Sequence, residues 1–76
     1  MKDLLEVIAK ALVDAPSEVS VSEVEGEQSI ILELKVAEED MGKVIGKQGR
    51  IAKSIRTVMK AAANRENKRV IVEIIQ

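Results

Sequence analysis

Seventy-six residues make one small domain, near the size below which a chain struggles to bury enough apolar surface to fold alone. Hydrophobic residues supply 46% of it, yet Phe, Tyr, Trp, Cys and His are all absent, which excludes disulfides, thiolate and imidazole metal sites, the commonest general base and any aromatic stacking platform. The net charge of −1 hides a division: residues 1–40 carry 3 basic and 11 acidic side chains, whereas residues 41–76 carry 9 basic and 2 acidic ones.

Leu4, Leu5, Ile8, Ala11, Leu12 and Ala15 repeat at helical spacing, and Pro16 disfavours continuation, so a first helix is predicted over about 2–14. Asp3 followed by Glu6 fits a capping box at its start. Val19 and Val21 alternate with Ser20 and Ser22, Glu25-Gly26-Glu27 suits a turn, and Ile30, Leu32, Leu34 and Val36 alternate strictly with their neighbours. These segments predict an antiparallel hairpin.

Glu38, Glu39 and Asp40 are placed to complement the dipole at the start of a short helix through Ile45, which Gly46 ends. A longer helix is predicted from about residue 48 to 64, its apolar face formed by Ile51, Ile55, Val58, Met59 and Ala62, with Lys53, Arg56 and Lys60 opposite. Residues 69–75 form a β-branched run apolar on both faces apart from Glu73. The predicted order is α-β-β-α-α-β, an α+β domain spanning 1–76. No apolar stretch approaches the roughly 20 residues of a bilayer span, and the acids among the first six residues do not suit a signal peptide, so a cytoplasmic protein without membrane association is expected.

The densest information lies in Val44-Ile45-Gly46-Lys47-Gln48-Gly49-Arg50. It sits in a stretch, 41–65, that holds no carboxylate but carries Lys43, Lys47, Arg50, Lys53, Arg56, Lys60 and Arg65. Two glycines three apart permit a tight turn and the close approach of another molecule, and the flanking cations favour a phosphate. Both glycines are therefore expected to resist substitution. A Walker loop fails because Gln48 stands where the metal-binding hydroxyl belongs and Gly42 is one residue off register; a dinucleotide fingerprint fails because Val44 occupies the place of its first glycine. Ser54 and Thr57 have no adjacent base, and the three consecutive acids at 38–40 diverge around a helix, so neither an enzyme nor a metal or cofactor site is expected.

Helix–Gly-x-x-Gly–helix, preceded by Val-Ile and set in the order α-β-β-α-α-β, resembles the K-homology (KH) domain in its type II arrangement, a three-stranded sheet packed by helices on one face. The resemblance covers the whole chain. It is closest to the small bacterial KH proteins of the KhpA family, in which Gly-Lys-Gln-Gly-Arg is followed by Ala-Lys and Ile-Arg, here Gly46 to Arg50, Ala52-Lys53 and Ile55-Arg56. Ala52 departs from the general KH pattern, where many members carry Ile three residues after the second glycine.

The resemblance implies a non-enzymatic protein that clamps about four nucleotides of single-stranded RNA. The loop Gly46, Lys47, Gln48 and Gly49 would hold the backbone, Lys43, Arg50, Lys53 and Arg56 would assist on phosphates, and Gly42 and Ile45 would shape the cleft. Val44, Ile45 and the strand over 30–36 are expected to floor it, and without aromatic residues binding should be weak and loosely selective. The family further implies an RNA chaperone or post-transcriptional regulator, linked in some bacteria to cell shape and cell-wall biogenesis. A second reading is a dimerisation module: the apolar strand 70–75 suits a protein contact, and members of the family self-associate and pair with a larger KH-containing protein.

Overall fold

The structure, a computed structural model, describes residues 1–75: α1 (Lys2–Leu12), a 3-10 turn at Pro16–Glu18, β1 (Ser20–Glu25), β2 (Ser29–Lys35), α2 (Glu38–Arg65) and β3 (Arg69–Ile75). The backbone leaves helical geometry at Gly46, Lys47, Gln48 and Gly49, which breaks α2 into arms spanning 38–45 and 50–65. These arms are the two helices that the sequence predicts, so the order α-β-β-α-α-β holds.

The sheet runs β1-β2-β3. β1 and β2 form the expected antiparallel hairpin, pairing Val21 with Leu34 and Val24 with Ile31, and the Gly26 N–H donates to the Ser29 carbonyl (2.7 Å) at its turn. β3 joins β2 in parallel, Leu32 beside Val72. A parallel neighbour needs a crossover of a dozen or more residues, and α2 supplies it.

Alternation along the strands decides which face is dry. Val21, then Ile30, Leu32 and Leu34, then Val72 turn inward against Leu5 and Ala9 of α1 and Met41, Val44, Ala52, Ile55 and Met59 of α2. Both helices therefore lie on one face of the sheet. With no aromatic residue, the core is aliphatic throughout, and each fully buried Leu, Ile or Met contributes about 1.5–3 kcal/mol.

Three local expectations are corrected. Asp3 does not cap α1; the helix begins at Lys2, so Asp3 already has helical geometry, and the Met1 carbonyl accepts the Leu5 N–H (3.1 Å) instead. The free Lys2 N–H donates to the Glu23 carboxylate on β1 (2.9 Å), while Glu6 pairs with Lys10 one turn on (3.0 Å). The helix also ends at Leu12, two residues early, because Val13 is extended. On the second arm of α2, the buried line is Ala52, Ile55, Met59 and Ala63, whereas Val58 is exposed. The arm is rotated toward its alanines because small side chains let it approach the sheet closely.

Asp40 is the one charged residue in the core among the described residues, 1% exposed. Its two carboxylate oxygens accept the N–H groups of Asp14 and Ala15, each at 3.0 Å, which ties the start of α2 to the chain between α1 and β1. Its neighbours Glu38 and Glu39 are exposed and remain in the helix-dipole role expected of all three. Asp40→Ala would leave two backbone donors without acceptors and is expected to cost about 2–3 kcal/mol, measured by urea unfolding, whereas Glu39→Ala should change stability by only about 0.5 kcal/mol.

Candidate nucleic-acid interface

Lys47 (φ 53°, ψ 47°), Gln48 (φ 64°, ψ 25°) and Gly49 (φ 71°, ψ 28°) form an unbroken left-handed run in the middle of α2. For L-residues this conformation costs roughly 1–2 kcal/mol each, so Lys47 and Gln48 are held against their preference. Gly49 is the position where glycine relieves that cost. Gly46 is different: at φ −65°, ψ 175° it occupies backbone space open to any residue, and a Cβ there meets nothing within 4 Å. The expectation that the turn requires both glycines is therefore corrected to Gly49 alone; any need for Gly46 belongs to a bound molecule.

The return from left-handed Gly49 to helical Arg50 is the dihedral pattern of the backbone nests whose successive N–H groups hold anions. The restarted arm adds the positive end of its dipole. Lys47 and Gln48 project into solvent, Gly46 and Gly49 are half-buried, and Arg50 and Lys53 are exposed. Among the described residues Lys47, Arg50 and Lys53 have no acidic partner within salt-bridge distance.

The other predicted residues divide. Gly42 lies one turn before Gly46 and Ile45 directly before it; Ile45 is 51% exposed, and a methyl on Gly42 would enter open space, so together they leave an exposed apolar strip leading to Gly46. Lys43 is drawn toward Asp14 (3.3 Å) and is not free. Arg56 donates through Nε to the Val72 carbonyl (3.3 Å), so it bridges the second arm to β3. Ala52 is buried in the core and shapes no groove. Val44 is likewise buried, and Ile30, Leu32 and Leu34 on the central strand are fully covered by the helices, so neither floors a cleft as expected. The strand that borders the second arm is β3, and Arg56–Val72 is the contact that shows it. Sequence alone offers no signal for that pairing, since nothing in the strand pattern says which strand lies at the edge.

No helix among the described residues is long and apolar enough to cross a membrane, and no group of three or more His, Cys, Asp or Glu among them is placed to hold a metal ion.

The comparisons agree with this architecture. A model of the KhpA/KhpB KH domain matches residues 2–74. The chain is 83% identical over 75 residues to the RNA-binding protein KhpA of Clostridium acetobutylicum, covering 99% of this chain and 100% of that one. Its identity to the protein of the same name from Aquifex aeolicus is 47% over 76 residues, covering 100% of this chain and 96% of the relative. Among solved structures, Era in complex with MgGDPNP and nucleotides 1506–1542 of 16S ribosomal RNA superposes with a TM-score of 0.61 at 20% identity, covering 96% of this chain and 28% of Era; at that identity the likeness concerns the fold.

The two loop glycines should separate in a thermal or urea melt. Gly46→Ala is expected to leave stability unchanged, while Gly49→Ala should lose about 1 kcal/mol from its positive φ. Equal losses would show that Gly46 has a structural demand of its own.

Proposed function

The chain belongs to the KhpA/KhpB family of KH domains, and on that premise we propose that it is a non-enzymatic RNA-binding protein that clamps single-stranded RNA at Gly46–Gly49. The observation that carries this reading is the left-handed run itself. It holds two non-glycine residues in a costly conformation, at the surface, where no packing contact of the core calls for it. The result is an anion-seeking concavity within a carboxylate-free basic stretch. The names of the similar proteins, RNA-binding protein KhpA, support the same ligand.

A phosphate at the concavity would be met by backbone N–H groups, by Lys47 and by Arg50, with Lys53 one turn further on. Gly46 would let the strand approach the backbone directly, and bases would turn toward the apolar strip at Gly42 and Ile45. Arg56 would act less as a phosphate ligand than as the strut fixing the arm to β3. Lys43, tied to Asp14, would contribute through its field. Without stacking worth about 1–3 kcal/mol per base, affinity from a single domain stays low and selectivity loose. That profile suits an RNA chaperone or post-transcriptional regulator acting in the cytoplasm on many transcripts.

The test is fluorescence anisotropy with labelled single-stranded RNA on the wild type and the double change Lys47→Asp, Gln48→Asp. Both positions are exposed and left-handed, and Asp tolerates that conformation better than most residues, so circular dichroism should show the fold intact. Binding should fall at least tenfold, since two negative charges replace a phosphate contact. Unchanged binding would place the RNA elsewhere.

A second reading, a module that pairs with another copy or with a larger KH-containing protein, is favoured by the uncovered face of the sheet. Val24, Ile31 and Ile71 stand in one row across the three strands, and Val24 and Ile71 are 62% and 46% exposed. The edge of β3 is a poorer surface for pairing, because Arg56 already occupies the Val72 carbonyl. Self-association through the face should appear in sedimentation velocity and be abolished by Ile71→Asp. A strict monomer at all concentrations tested would remove the homodimer.

A further inference from the structure

At the end of the molecule away from the loop, the seam between the second arm of α2 and β3 opens into a cavity of about 910 Å³. Gln28, Lys60, Asn64, Asn67, Lys68 and Arg69 line it, and no carboxylate does. Its position relative to the loop follows from helix geometry. Lys53, Arg56, Lys60 and Asn64 recur at steps of three and four, so they share one stripe of the arm, and all four are exposed. Arg56 fixes where that stripe faces, because its Nε–H reaches the Val72 carbonyl. Arm and strand run in opposite directions: Arg56 meets Val72, while Lys60 and Asn64 share the cavity with Val70 and Arg69. The loop thus sits at one end of a single polar seam and the cavity at the other. From Arg50 to Asn64 the separation is about 21 Å at 1.5 Å per residue.

We propose that this cavity is a second phosphate site for the same RNA strand, so that a strand held at Gly46–Gly49 continues along the arm and is gripped again at Lys60 and Arg69. The inference rests on the RNA-binding reading above and extends the footprint by about three or four nucleotides. The groups present suit that ligand. Lys60 and Arg69 are exposed cations with no acidic partner among the described residues. Lys68 is already committed to Glu25, whose carboxyl is held below its ordinary range by the Lys68 hydrogen bond and charge, so Lys68 contributes less to the field. Gln28, Asn64 and Asn67 carry amides that both donate and accept, as base edges require. Helix-end carbonyls would repel an anion, but here the N–H groups of Glu66, Asn67 and Lys68 cover those of Ala63 and Asn64 at 2.9–3.1 Å. Asn67 makes that closure possible by taking a left-handed φ of 56° just beyond the helix. Midway along the seam, Nε is the atom through which Arg56 holds β3, which leaves its terminal guanidinium nitrogens to face a passing phosphate.

The experiment is anisotropy with labelled oligouridylates of two lengths, 4 and 12 nucleotides on the scale of single-strand footprints of roughly 4–16. It compares the wild type, the double change Lys60→Ala, Arg69→Ala and the loop change Lys47→Asp, Gln48→Asp, with circular dichroism on each. The Lys60/Arg69 variant should bind the longer strand about tenfold more weakly in low salt and the shorter one as the wild type does; its slope of log affinity against log salt on the longer strand should fall by about 1.4, for two phosphates at about 0.7 each. Unchanged affinity and slope on the longer strand, with the loop variant losing binding, would overturn the second site and leave the loop reading standing. Equal loss on both lengths would also overturn it, since the two residues would then act only through the general field. If the loop variant binds both lengths like the wild type, or the wild type binds neither, the RNA reading falls and this inference falls with it.

Discussion

The constraint on which the molecule depends is that α2 cannot be straight. Twenty-eight helical residues would run about 42 Å at 1.5 Å per residue, longer than the 35 Å of the whole domain's greatest extent. A straight rod of that length would carry one of its apolar ends beyond any surface able to cover it, and a chain of this size has little core to lose. Breaking the helix at Gly46–Gly49 folds both arms onto one three-stranded sheet, so that Met41 and Val44 on the first and Ala52, Ile55 and Met59 on the second enter the same aliphatic core. The need for a break in the helix is thus a consequence of packing. What packing leaves open is how the break is made, and here it is made with three left-handed residues where a chain selected only for stability would have used more glycine.

Asp40 sets the direction in which that break points. Its carboxylate accepts two N–H groups from the chain leaving α1, and so fixes the start of the first arm against the α1–β1 connection. At the far side, Arg56 fixes the second arm to β3. One arm is held by a buried acceptor and the other by a surface donor, with the left-handed run between them. Neither contact touches the loop; each anchors one of the two arms that flank it. A loop pinned at both ends loses less conformational entropy when a ligand orders it, which matters most for a site that has no aromatic stacking to draw on.

The element order, the hairpin, the helix break and the loop cations were all legible in the sequence, because each rests on a local pattern: alternation at Ile30–Lys35, helical spacing in α1 and α2, and a glycine pair in a basic stretch. What escaped was set by neighbours distant in the chain. Nothing local distinguishes Asp40 from Glu38 and Glu39; only the arrival of Asp14 and Ala15 beside it makes it the buried one of the three. Val58 is exposed and Ala52 buried: a helix face drawn from hydrophobicity favours the larger side chain, whereas close approach to the sheet favours the smaller. Val44 and the central strand were assigned to the cleft because they are apolar. That same apolarity is what drew them into the core. Asp3 failed as a cap because the helix starts one residue earlier, at Lys2, where Glu23, twenty residues on, accepts the free Lys2 N–H.

The separation of charge along the chain has a physical reading that the fold sharpens. Acids dominate residues 1–40 and bases dominate residues 41–76, and the sheet order sets β1 on the far side of β2 from β3, which with the second arm of α2 carries the basic seam. Among the described residues the ion pairs across the divide are Lys43 with Asp14 and Lys68 with Glu25, and each commits a cation to the acidic side. Among the described residues, the cations of the basic half left without such partners are Lys47 and Arg50 at the loop, Lys53, Arg56 and Lys60 on the exposed stripe, Arg65 at the end of the arm and Arg69 on β3. A domain that is nearly neutral as a whole therefore presents one positive track and one negative flank. With a screening length of roughly 8 Å at physiological salt, a polyanion close to the track feels mainly the track. The acidic flank would instead repel a polyanion from the α1 side.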